Sequence, residues 1–184
     1  MDVPYPLATQ NDVIVRVHAG GFTPGELDWS GTWTDRAGRD RTPSVPGHEL
    51  SGIVAELGYG TTGLTVGQRV FGMTDWTGNG SLAEYAAVEA RNLAPLPADI
   101  DHTVAAALPI SGLTAWQGLF DHARLATGQT VLIHGAAGGC RLDRRAARPC
   151  GGSPSHRHRS GGRPRHCSRL GGGCLLGPAG RHVG

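Results

Sequence analysis

At 184 residues, 39% hydrophobic and a formal net charge of +2, the chain suffices for about one and a half domains around one good core. No apolar stretch is long enough to cross a bilayer. The start, "MDVPYPLATQND", lacks the basic end and apolar core of a secretion signal, so the expected location is cytoplasmic.

The near-neutral total hides two unlike parts. Residues 1–139 carry 7 Arg and 14 acids; residues 140–184 carry 10 Arg and one acid, Asp143. The acidic first part argues against a nucleic-acid surface there. All four cysteines (Cys140, Cys150, Cys167, Cys174) fall in the second part, and every Trp, Tyr and Phe falls in the first. Every Lys/Arg position is Arg, which together with abundant Ala, Gly and Pro suggests a GC-rich coding sequence.

In chain order, "DVIVRVHAGG" alternates as a strand does, with Val13, Val15 and Val17 on one face and Ile14, Arg16 and His18 on the other. The next stretch, "FTPGELDWSGTWTDRAGRDRTPSVPGHE", is rich in Gly, Pro and Asp and is expected to be a long loop. "LSGIVAELG", "GQRVFGM" and "GSLAEYAAV" then read as short strands between glycine turns, the pattern of a barrel-like β domain. "NLAPLPADI" is the expected domain boundary. After it "DHTVAAALPISGLTAWQGLFDHA" is mostly helical, with Ala105, Leu108, Leu113, Trp116 and Leu119 available for burial and Pro109 and Ser111-Gly112 as interruptions. "LATGQTVLIHGAAGG" follows as turn, buried strand (Thr130–His134) and glycine turn, the opening of an α/β unit. Backbone N–H groups at a helix start bind phosphate, and glycines permit its close approach.

"PSVPGHELSGIVAELG", "VGQRVFGM", "GSLAEYAAV", "LPISGLTAWQGL" and "GQTVLIHGAAGG" occur in this order. Together they resemble the medium-chain dehydrogenase/reductase family, specifically its zinc-independent quinone-oxidoreductase branch, over roughly Asp12 to Gly139. The resemblance implies an α/β protein with a β-rich GroES-like domain (1–96) and the start of a Rossmann domain (97–139). It implies NADPH as cofactor, a quinone, enone or carbonyl as substrate, and homodimers among intact relatives, which usually begin about one β-hairpin earlier. The cofactor-binding residues carried over are Thr23, Thr114 and the turn Gly135, Ala136, Ala137, Gly138 and Gly139. No residue stands out as an obligatory acid or base, as suits chemistry in which the cofactor donates hydride and the protein positions and polarises.

Zinc-dependent members place a Cys where Thr23 stands and use the His of the "GHE" motif, here His48, as a second ligand. No cysteine precedes Cys140, so neither the catalytic thiolates nor a four-cysteine structural lobe is available, and no metal is expected. His48 and Glu49 then read as a polar pair tying a loop to the barrel, Thr114 alternatively as a capping or packing threonine, and Tyr85 and Trp116 as core.

The tail breaks the pattern. Family members follow the glycine turn with a small apolar residue, a glycine and an amphipathic helix, whereas Cys140 and Arg141 stand at those two positions here. Arg141 puts bulk where the backbone must approach the pyrophosphate. Back-translated with GC-rich codons and read one base later, "CRLDRRAARPCGG" gives "AGSIAVQLARAA", which restores the glycine and a helical period. Residues 140–184 are therefore expected to be translated out of frame and disordered, with too few apolar groups to offset their ordering entropy. Alternatives for the tail are a metal site from Cys150, His156, His158, His166, Cys167 and Cys174, which lacks a standard spacing, and a basic nucleic-acid-binding arm. The rival function is a non-catalytic GroES-like binding module with that basic tail.

Overall fold

Five strands form one antiparallel sheet in a computed structural model that describes residues 2–23, 25–127, 129, 131–132 and 155–156. They are β1 (Asp12–Gly21), β2 (Glu49–Leu57), β3 (Arg69–Met73), β4 (Tyr85–Glu89) and β5 (Leu93–Pro95), in the order β4-β1-β2-β3-β5. Val13, Val15, Leu50, Val54, Leu64, Val70, Ala86 and Val88 make the core cluster against one face. Burying a Val or Leu side chain fully contributes about 1.5–3 kcal/mol, so this cluster dominates the stability of the sheet.

The alternation expected for β1 holds only in part. Ile14, on the face shared with Arg16 and His18, is fully buried although it is not a member of the main cluster. Its strand is internal, paired with β2 on one side and β4 on the other, and its first half is covered on both faces. Register shifts against β2 between Ile14 and Val15 and between Val17 and Ala19 further disturb the two-residue period. The "NLAPLPADI" segment is more than a boundary, because its first residues form β5 and pair with β3.

The long segment after β1 is held by short turns and side-chain bonds. It contains a 3-10 turn (Glu26–Asp28) and a single helical turn, α1 (Ser30–Trp33). The Arg41 guanidinium spans it, donating to the carbonyls of Gly31, Thr32 and Gly78 at 3.1–3.4 Å and to Ser44 Oγ at 3.1 Å.

Helix α2 (His102–Ala106) is capped by Asp101, whose carboxylate accepts from the Thr103 N–H at 2.7 Å. Ala105 and Ala106 are buried. A Cβ on Gly21 would lie 2.5 Å from the Ala106 carbonyl oxygen, so glycine at the end of β1 is what lets α2 lie this close.

The chain divides into two compact units, Met1–Ile110 and Ser111–Gly184, which places α2 with the sheet. Helix α3 (Pro109–Trp116) runs on into a π-helical turn (Gln117–His122). The helical segment is interrupted just before Pro109, as expected, and Pro109 opens α3, as a residue without an N–H is free to do; Ser111-Gly112 lie within α3 and do not interrupt it. Leu119 is buried as expected, but Leu113 and Trp116 are about half exposed, and Trp116 packs on Phe120. The buried strand expected at Thr130–His134 is described only as β6 (Val131–Leu132). It pairs in parallel with β7 (Ser155–His156), and the rest of 140–184, expected to be disordered, lies outside the described residues. No helix among the described residues is long and apolar enough to cross a membrane.

Candidate functional site

The loop after β1 and the Pro46–Glu49 segment meet over a buried polar cluster. Glu26 is fully buried inside the Gly/Pro-rich loop. Its carboxylate accepts the Thr23 N–H at 3.0 Å and the Gly47 N–H at 2.7 Å, thereby tying together two segments 21 residues apart. Gly47 makes this possible with a left-handed backbone (φ 95°), and a Cβ on Gly80 would sit 2.0 Å from its carbonyl oxygen. Below, Thr32 Oγ1 donates to the Glu26 carbonyl at 2.8 Å.

His48 lies beside Glu26, 1% exposed. Its ring stacks with Trp29 at 6.0 Å and tilts against Trp76 at 4.6 Å. The Thr74 hydroxyl donates to the Gly47 carbonyl at 3.3 Å and therefore accepts from His48 Nδ1, also at 3.3 Å. That leaves Nε2 of the neutral ring as a bare acceptor, 3.8 Å from Glu26 Oε1 and without a hydrogen-bond partner among the described residues. Burial holds the imidazole below the ordinary histidine range; Glu26 acts in the opposite direction, and Arg41 reinforces burial.

Glu49, next along the chain, faces another way. Its Oε1 accepts the Ile110 N–H at 2.7 Å and its carbonyl accepts from Ser81 Oγ at 2.6 Å. The two residues of the "GHE" motif thus tie different pieces of the first unit together, His48 to the Glu26 loop and Glu49 to the start of α3.

This donor set does not suit zinc. The ion takes four ligands from Cys, His, Asp and Glu in structural sites and three plus a water in catalytic ones. Here one imidazole nitrogen faces a carboxylate already committed to two backbone N–H groups, and the ring is packed between two indoles. No group of three His, Cys, Asp or Glu side chains able to hold a metal gathers among the described residues.

Of the residues expected to meet a dinucleotide, Thr23 sits half-buried at the mouth of this cluster, with its backbone N–H held by Glu26 and its carbonyl accepting the Glu26 N–H at 3.0 Å. Thr114 lies exposed on α3 in the second unit. Gly135, Ala136, Ala137, Gly138 and Gly139 lie outside the described residues, as do Cys140 and Arg141. Tyr85 is half-buried against Tyr5, with ring centroids 4.9 Å apart.

The sheet and the glycine-pinned loop above it define a GroES-like domain of the alcohol dehydrogenase kind. Residues 9–98 match the family described as "Alcohol dehydrogenase GroES-like domain". The chain is 37% identical over 142 residues to a Quinone oxidoreductase of Rattus norvegicus, covering 77% of this chain and 42% of that protein. It resembles the solved alcohol dehydrogenase superfamily protein of Novosphingobium aromaticivorans (TM-score 0.75, 30% identity, 85% of this chain and 48% of that one). It also resembles a mycobacterial protein solved in complex with NADPH (TM-score 0.64, 30% identity, 78% of this chain and 43% of that one). The chain spans less than half the length of each of these relatives. It belongs to the medium-chain dehydrogenase/reductase family, in its quinone oxidoreductase-like part.

Proposed function

We propose that the chain is the substrate-side domain and the cofactor-domain entrance of a cytoplasmic, zinc-independent, NADPH-dependent reductase acting on a quinone or an activated alkene or carbonyl. The observation that carries this reading is the polar cluster at Thr23. The position that holds a thiolate in zinc-dependent members is a threonine, and the neighbouring histidine is buried against two tryptophans, with Nδ1 on Thr74 and Nε2 facing Glu26 at 3.8 Å. Kinship to quinone oxidoreductases over 77% of the chain supports the oxidoreductase class, and the NADPH-bound relative supports the cofactor.

In this reading Thr23, Thr114 and the turn Gly135–Gly139 hold NADPH, which when bound supplies the hydride. Glu26 fixes the backbone of the Thr23 loop, and Trp29 and Trp76 shield the floor beneath it. The chain's own side chains orient and shield, with no acid or base assigned among them.

The chain as written is proposed to be inactive. Residues from about Cys140 are read out of frame, and the helix that should follow the glycine turn is lost with them. The test is NADPH titration and quinone- or enone-dependent NADPH oxidation, run on this chain and on a version with the inferred frame restored. Binding and turnover by the restored protein alone are the expected result. A restored protein that binds no NADPH would leave the non-catalytic binding module as the better account.

A further inference from the structure

We propose that His102 is an acid-sensitive latch, holding α2 and the connection Pro97–Asp101 on the sheet only while its imidazole is neutral and protonated on Nδ1. The assignment follows from a chain of hydrogen bonds. Ser51 Oγ on β2 donates its one proton to the Val70 carbonyl on β3 at 2.9 Å. It must therefore accept from His102 Nδ1, which lies 2.8 Å away. A neutral ring protonated there presents Nε2 as an acceptor, and the Arg69 Nε–H points at it from β3 at 3.4 Å.

The rest of the Arg69 guanidinium clasps the connection itself. Nη1 donates to the carbonyls of Pro97 (3.1 Å) and Ala98 (2.9 Å), and Nη2 to that of Ile100 (2.5 Å). One arginine thus binds three backbone carbonyls of the connection and the first residue of α2, and His102 is the only one of these partners that can titrate.

A second proton on His102 has to go on Nε2. It would set N–H against N–H and a cation against the guanidinium. The groups around the ring offer little relief. The His18 ring on β1 stacks on it with centroids 4.7 Å apart and planes at 23°, and Ser51 on β2 is neutral. Asp101 is the acid that acts on the ring, and its carboxylate is already occupied by the Thr103 N–H (2.7 Å) and hydroxyl (2.5 Å). Burial, His18 and Arg69, in that order, hold His102 below its ordinary range, with Asp101 opposing. Protonation then pushes His102 and Arg69 apart and releases the connection, while the apolar cluster of Val13, Val15, Leu50, Val54, Val70 and Val88, which has none of these groups among its members, stays closed.

Imidazole nitrogen NMR and amide hydrogen exchange on this chain test the idea. In the unsubstituted chain at pH 7.5, Nδ1 of His102 should carry the proton, and the ring should titrate below the ordinary histidine value of about 6.5. Protection factors at Thr103–Ala106 should fall at least tenfold across that titration, while those of Val54, Val70 and Val88 stay level. Arg69→Met should move the His102 midpoint upward, and His102→Gln should abolish the acid step at Thr103–Ala106. An Nε2-protonated ring, a midpoint at or above the ordinary value, or an acid step that persists in His102→Gln each overturns the proposal. The first two readouts need no substitution, so a variant that fails to fold does not blunt the test.

Discussion

His48 Nε2 and Glu26 Oε1 lie 3.8 Å apart in the interior of the first unit, and neither presents a proton to the other while the imidazole is protonated on Nδ1. A proton added to the ring would go to Nε2, facing the carboxylate, yet burial outweighs that attraction and keeps the imidazole below its ordinary range. In the unfolded chain the same histidine titrates near 6.5. The unfolded state therefore binds more protons between the depressed folded value and about 6.5, and folding stability falls as pH drops through that window. The expected outcome is a urea midpoint that declines from pH 7 toward pH 5. One such group contributes at most about 1.4 kcal/mol per pH unit. His48→Phe should flatten the decline, with the residual slope from His102 removed in the double variant. A slope unchanged in the double variant would assign the acid sensitivity to other groups.

Glu26 is the cluster's keystone. Glu26→Ala leaves the Thr23 and Gly47 N–H groups without acceptors, and each buried donor left unsatisfied costs about 1–3 kcal/mol. Glu26→Gln keeps one acceptor oxygen and should lose less. Chemical denaturation of the three proteins should rank wild type above Glu26→Gln above Glu26→Ala. A Glu26→Ala variant as stable as wild type would mean the two loops are held together by other contacts.

Glu26 also shows where sequence reading stops. An acid inside "FTPGELDWSG" reads as a solvated loop residue, because nothing local signals burial. Its second partner, Gly47, is 21 residues away, and only the folded loop brings the two together. The strands were legible because alternation and glycine turns are local, so β2 and β3 fall where the periodicity puts them. Ile14 was not, since its burial depends on cover over the second face of β1, which alternation along one strand does not reveal. Leu113 and Trp116 look like core on helical spacing, but the described second unit leaves them half exposed. The His102–Arg69 clasp joins side chains 33 residues apart through three backbone carbonyls and has no sequence signature at all.

Zinc should be absent from the purified protein. Thr23 replaces the thiolate that a tetrahedral site needs, and His48 alone cannot hold the ion. Elemental analysis after exhaustive dialysis is expected to return far less than one zinc per chain. A stoichiometric value that survives His48→Phe would turn attention to Cys150, His156, His158, His166, Cys167 and Cys174 in the tail.

NADPH binding should separate this chain from its frame-restored counterpart. A Rossmann unit grips the pyrophosphate with a glycine turn and the helix start that follows it. The turn Gly135–Gly139 is present in the sequence, but Arg141 stands where a glycine is needed. Pro149 and Gly151-Gly152 then oppose a helix, at about 3 kcal/mol for an interior proline and about 1 kcal/mol for each glycine. Reading one base later replaces all of these with "AGSIAVQLARAA", and sequencing the gene around the Gly139 codon should reveal an open frame encoding that helix. Fluorescence titration should give no saturable NADPH binding to the chain as written and micromolar binding to the restored one, along with quinone or enone reduction. Micromolar binding by the chain as written would sink the proposal that its out-of-frame tail leaves it inactive, whatever the gene sequence showed.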